Sequence, residues 1–147
     1  MNSVDVDRDY LASAGNYCVI VWNMKKRKHL YDVEHGQNGN GINVFCVKMH
    51  DEMVISASDD HTVKLSNRSD GQLLHTLQHD DNCYDFDISD NILAVATSDG
   101  VFIWSLNDRR KIKKIDLGGW VDNVRYVKGR TIIAVCTNGE VHAIDME

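Results

Sequence analysis

The stretch Ile92-Leu-Ala-Val-Ala-Thr-Ser-Asp-Gly-Val-Phe-Ile-Trp104 constrains the fold more than any other part of the chain. An apolar run, a Ser-Asp-Gly turn and a second apolar run ending in Trp describe two short strands folded back on each other. Gly100 can take the positive φ such a turn demands, and Asp99 can hydrogen-bond the turn backbone. Three further copies close at Trp22, Ser66 and Ile144, each with an aliphatic residue eleven places earlier (Leu11, Ile55, Ile133) as Leu93 stands before Trp104. The closing positions are 44, 38 and 40 residues apart. A chain with this self-similarity is a repeat protein of short antiparallel strands.

A period of about 40–45 residues with paired strands is the pattern of propeller blades. Alternating apolar residues and turn signals predict an all-β fold of fifteen strands in four blades, at about 1–35, 42–79, 80–118 and 119–147, the last without its outermost strand. The segment Gly36-Gln-Asn-Gly-Asn-Gly41 is too polar and glycine-rich to be anything but a loop, and it lengthens the first interval. Thr131–Cys136 runs almost continuously apolar, as a strand covered on both faces does. Against the ring of about seven blades that the family resemblance below implies, four blades are about half. Either the sequence is part of a longer propeller, or two copies join through their open edges into a homodimeric ring.

The segments Ile55-Ser-Ala-Ser-Asp-Asp60 and Leu74-His-Thr-Leu-Gln-His79, with Trp22 and Trp104 at two closing positions, resemble the WD-repeat propeller family. The resemblance covers nearly the whole chain, although the Gly-His pair is never intact and Ser66 and Ile144 replace the other two Trp. It implies a hydrogen-bond network of His79, Thr97, Asp99 and Trp104 in the third blade, structural in role even with Ser98 beside it. It also implies that the second blade keeps only Ser58 and Asp60, His35 being displaced by the glycine loop. Members include scaffolds, histone-binding proteins and F-box substrate receptors of ubiquitin ligases. Cys46-Val-Lys-Met-His-Asp-Glu-Met-Val-Ile55 is similar to the last subgroup, without its F-box. Those receptors grip phosphopeptides with Arg, a role only Arg125 approaches.

Other chemistry finds little support. His75 and His79 are four apart on a strand, roughly 13 Å, too far for one metal ion. The glycines of 36–41 precede a strand, not a helix, so they are no dinucleotide fingerprint. No nucleophile–base pair is legible, and neither an enzyme nor a cofactor is expected. The net charge of −6 argues against nucleic acid, and no run is long and apolar enough to span a membrane. Four scattered Cys (Cys18, Cys46, Cys83, Cys136) read as buried hydrophobes of an intracellular protein, cytoplasmic or nuclear.

The charges separate by connection. Lys25-Lys-Arg-Lys28, Asp108-Arg-Arg-Lys111 and Lys128-Gly-Arg130 lie between first and second or third and fourth strands. The first could equally be a nuclear-localisation patch. The opposite rim is approached by Glu34, Asp59, Asp60, Asp80, Asp81, Asp99, Asp122 and Glu140. Either these are ordinary solvated turn residues, or they attract a basic partner. The expectation is a non-catalytic scaffold whose acidic rim, through Asp60, Asp81, Asp122 and Trp120, receives a protein or peptide rich in Lys or Arg. Trp120 would stack on a cation there or plug the junction between two blades. A structural half-propeller without independent activity is the competing reading.

Overall fold

The repeat resolves into fifteen β-strands and, among the described residues, no helix. This computed structural model describes residues 2–36, 41–127 and 130–146. The tip of the glycine-rich loop (37–40) and residues 128–129 of the third basic cluster lie outside the described residues. The chain divides into two compact units, Met1–Asp80 and Asp81–Glu147.

Unit 1 holds two antiparallel sheets. The first is β1 (Ser3–Asp7), β2 (Tyr10–Ala14), β3 (Cys18–Asn23) and β4 (Lys28–Glu34), paired in that order. The second is β5 (Val44–His50), β6 (Met53–Ser58), β7 (Thr62–Asn67) and β8 (Leu73–Gln78). Unit 2 repeats the plan with β9 (Cys83–Ser89), β10 (Ile92–Thr97), β11 (Gly100–Ser105) and β12 (Arg110–Ile115). Its second sheet has three strands, β13 (Val121–Tyr126), β14 (Thr131–Cys136) and β15 (Val141–Asp145).

Valine and alanine explain why the sheets within a unit pack so closely. In unit 1, Ala12, Ala14, Val19 and Val21 of one sheet meet Val44, Val47 and Val54 of the other in one core. In unit 2, Ala94, Ala96 and Ile103 meet Val124, Ile132 and Ala134. Branched side chains suit the pleat, and alanine lets two sheets approach. The closing Trp residues, alike in sequence, differ in burial: Trp104 is 8% exposed, but Trp22 is 40% exposed and meets His29 edge-on at 5.4 Å.

Two devices recur at fixed repeat positions. Register slips by one residue between first and second strands, leaving Phe45, Tyr84 and Asp122 as the extra residues. It slips again between third and fourth strands, at Leu30, Leu74 and Ile112. Such bulges bend a strand and re-aim its side chains. The second device joins neighbouring sheets. In unit 1, Ser3 and Asp5 of β1 accept the backbone N–H groups of Val47 (3.3 Å) and Met49 (2.7 Å). In unit 2, Asp85 and Asp87 of β9 accept those of Val124 (3.0 Å) and Tyr126 (2.8 Å). Side-chain acceptors thus satisfy inner-strand donors that no neighbouring strand reaches.

The turn of the opening motif differs from expectation in one respect. Gly100 has φ +113°, and a Cβ there would lie 2.4 Å from the carbonyl oxygen of Ile115, so glycine is required. The turn backbone, however, is held by Thr97, whose Oγ1 accepts the N–H of Asp99 (3.1 Å) and donates to the carbonyl of Gly100 (3.1 Å). The Asp99 carboxylate reaches Lys114 Nζ at 2.5 Å instead. A two-residue loop brings Thr97 and Gly100 into register, leaving Asp99 pointing outward.

Candidate functional site

The most developed surface feature of unit 2 lies where β9 and β13 begin and where the β10–β11 and β14–β15 turns fall. Trp120, just before β13, has its ring 6.1 Å from that of Tyr84 at a 32° tilt, yet is 56% exposed. Tyr84 is the bulged residue of β9, and its hydroxyl lies 3.1 Å from Ser98 Oγ. A half-open cavity of about 320 Å³ runs along Trp120, floored by Leu117, Gly118 and Gly119 and walled by Cys136, Thr137 and Asn138.

Two carboxylates stand next to residues that line this cavity, without lining it themselves. Asp122, the bulged residue of β13, accepts a hydrogen bond from Thr137 Oγ1 at 3.0 Å, which fixes its carboxylate beside the wall. Glu140 stands on the following turn, 3.5 Å from His142 Nε2. Their field is felt nearby: burial first, then the charges of Glu140 and Asp122, push the Cys136 thiol up. Asp81 opens the unit, and its carbonyl accepts from Cys83 Sγ at 3.7 Å. The structure therefore brings Trp120 and Asp122 together, with Asp81 in the same unit.

Asp60 does something else. In unit 1 its carboxylate accepts from the His35 ring (3.0 Å), the Gly36 N–H (3.0 Å) and the Thr62 hydroxyl (2.6 Å), and its side chain is only 10% exposed. His35 in turn meets Ser56 Oγ at 2.7 Å through its other ring nitrogen. His35 is thus not displaced by the glycine loop, and Ser56, not Ser58, is its partner. Ser58 Oγ donates to the carbonyl of Asn43. The missed signal was periodic: His35 and His79 each stand thirteen places after a closing residue, Trp22 or Ser66. Each also donates its backbone N–H to the preceding tight turn, at Tyr17 and His61. The His35–Ser56–Asp60 set has the makeup of a hydrolase triad, but His35 and Ser56 are buried and offer no substrate a path.

The four network residues expected of the third repeat fall on both units: His79 is a buried residue of unit 1, while Thr97, Asp99 and Trp104 belong to unit 2. Arg125 is committed to Asp85, to which its guanidinium is ion-paired, and so is not a free phosphate ligand.

No family model matches the chain, and no curated protein does either. Among solved structures, the computationally designed protein Ika4 resembles it with a TM-score of 0.88 at 19% identity, over 99% of this chain and 91% of that one. The computationally designed Ika8 gives a TM-score of 0.84 at 20% identity, over 97% of this chain and 44% of that one. Identity at this level speaks for fold alone. These findings overturn assignment to the WD-repeat family, because no family model supports it and these two structural neighbours are designed proteins, not members of that family. The motif reading went astray for a physical reason. Alternating apolar strands and polar turns are what packing of short antiparallel sheets demands, whatever the ancestry of the chain.

Proposed function

We propose that the four sheets are successive blades of a β-propeller, and that the chain is a non-catalytic scaffold whose unit 2 rim binds a basic peptide. The observation that carries the reading is Trp120: more than half exposed, buttressed by Tyr84, and set on a cavity with Asp122 held on its wall residue Thr137 and Glu140 near Cys136. An indole face over acidic surroundings is the chemistry that holds Arg or Lys. Carboxylates on one rim also steer a cation toward it. The recurrence of bulges and sheet-joining hydrogen bonds at equivalent places supports the blade reading.

The test is titration of an Arg-rich peptide with Trp fluorescence as the signal. Saturable binding should weaken as salt rises. Trp120→Ala should weaken it about tenfold, a cation–π contribution of about 1 kcal/mol or more. The pair Asp81→Lys and Asp122→Lys should abolish it and leave the circular dichroism unchanged. A phosphopeptide that binds equally well before and after those reversals would refute the reading.

A further inference from the structure

The other end of unit 2 holds a second cavity, of about 330 Å³. The chain itself supplies a comparison that explains it. Residues of the first sheet map onto the third by register, and those of the second onto the fourth: Tyr10 on Ile92, Tyr31 on Lys113. The backbone bond from Arg68 N–H to the Glu52 carbonyl repeats as Met146 N–H to the Arg130 carbonyl, so Met146 stands for Arg68 and Arg130 for Glu52.

In unit 1 this place is full. Arg68 is buried there, its guanidinium 5.2 Å from the centre of the Tyr10 ring and ion-paired with Asp7 and Glu52. Tyr31 closes the space by donating its hydroxyl to the Arg68 carbonyl at 2.6 Å. In unit 2 the smaller Ile92, Met146 and Lys113 occupy the same positions, and the space stays open.

The open space also has unbalanced charge. Its apolar lining is Ile92, Ile103, Met146 and the ring of Tyr126, continuous with the core of the unit. Ile112, the bulged residue of β12, is half exposed and lines the mouth beside its chain neighbour Lys113. Neighbours on a regular strand would point to opposite faces, and the bulge is what turns both to one site. Lys113 and Arg130 have no ion-pair partner among the described residues, and Asp90 is the one acid in the lining. The lining itself thus holds two cations and one carboxylate, and neither cation is engaged by an acid among the described residues. In unit 1 the cation of the equivalent site has acids of its own, Asp7 and Glu52.

We propose that this cavity binds an apolar molecule carrying a single carboxylate, the apolar body entering where Arg68 and Tyr31 lie in unit 1 and the carboxylate meeting Lys113 and Arg130. The volume holds about eleven water-sized atoms, which suits the last residue of a peptide ending in Phe or Leu, or a free acid such as 3-phenylpropanoate. It is at the small end of ligand sites, which run from about 300 Å³ upward.

The experiment titrates the full chain, labelled with nitrogen-15, with four probes: 3-phenylpropanoate, its carboxamide, a short peptide ending in a free Phe carboxylate, and that peptide amidated. Saturable shifts should centre on Ile103, Ile112 and Tyr126, and each amide should bind at least tenfold more weakly than its acid, as loss of a charge-assisted contact requires. Tighter binding of the peptide acid than of 3-phenylpropanoate assigns the site to a chain end, and the reverse order to a free small acid. Lys113→Tyr installs the residue that closes the equivalent space in unit 1, and should abolish binding of both acids. Lys113→Ala with Arg130→Ala, both exposed and harmless to the fold, should weaken them at least tenfold. Equal affinity of acids and amides, undiminished binding by either variant, or no saturation by either acid up to about 10 mM would each overturn the proposal.

Discussion

Asp85 offers the sharpest test of how neighbouring sheets are joined. It is 4% exposed, and its Oδ2 accepts the Val124 N–H at 3.0 Å while pairing with Arg125. Asp85→Ala deletes a hydrogen bond to a charged acceptor, worth about 1.5–3 kcal/mol, and strands the N–H of a fully buried residue, at about 1–3 kcal/mol more. The expected loss is therefore about 3–5 kcal/mol. In a domain of this size that lowers Tm by about 6–20 °C. Asp85→Asn keeps an amide oxygen for the Val124 N–H and forgoes only the ion pair. Arg125 is half exposed, so that pair contributes about 1 kcal/mol or less. Urea unfolding followed by Trp fluorescence and circular dichroism gives both values. If Asp85→Ala costs under about 1 kcal/mol, or if Asn is as damaging as Ala, the side-chain ladder between β9 and β13 does not hold the sheets together.

Two further outcomes follow from burial and titration. Trp104→Ala should cost about 3–5 kcal/mol, whereas Trp22→Ala, at 40% exposure, should cost about 1 kcal/mol; equal losses in denaturant unfolding would contradict the difference in packing. The second concerns acid. Burial alone would raise the Asp60 carboxyl, but hydrogen bonds from His35 and Thr62 and the charge of His35 outweigh it and hold the pKa at about 2, below the ordinary 3.8. A depressed carboxyl stabilises the fold above its unfolded pKa and loses that stabilisation as pH falls through the folded value. Unit 1 should therefore weaken by about 2 kcal/mol between about pH 4 and pH 2. Asp60→Asn should be less stable at neutral pH and lack that acid loss, as read from Trp22 fluorescence on thermal unfolding; an unchanged acid dependence in the variant would sink the assignment.

Much of the fold was legible without coordinates, because the physics that sets it is local and repeated. Alternating apolar residues fix which face of a strand is buried, and turn residues fix where it reverses, so fifteen strands in four groups, the last one strand short, are both expected and found. Ancestry was not legible, since packing rules alone generate the motifs that suggested a family. Trp120 and Asp122 were singled out as parts of an acidic rim, and the fold brings them together through Thr137, which bonds the carbonyl of one and the carboxylate of the other.

What the sequence could not disclose depended on register and depth. Bulges at Tyr84, Asp122 and Ile112 insert one residue with no signature in composition, and each turns a side chain that simple alternation would aim elsewhere. Asp60 and Asp99 look alike in the repeat, yet one extra turn residue buries the first against His35 and leaves the second outside on Lys114. The cavity of unit 2 was hidden for the same reason. Ile92, Lys113 and Met146 lie far apart in sequence, and only tertiary packing makes their combined lack of bulk a space.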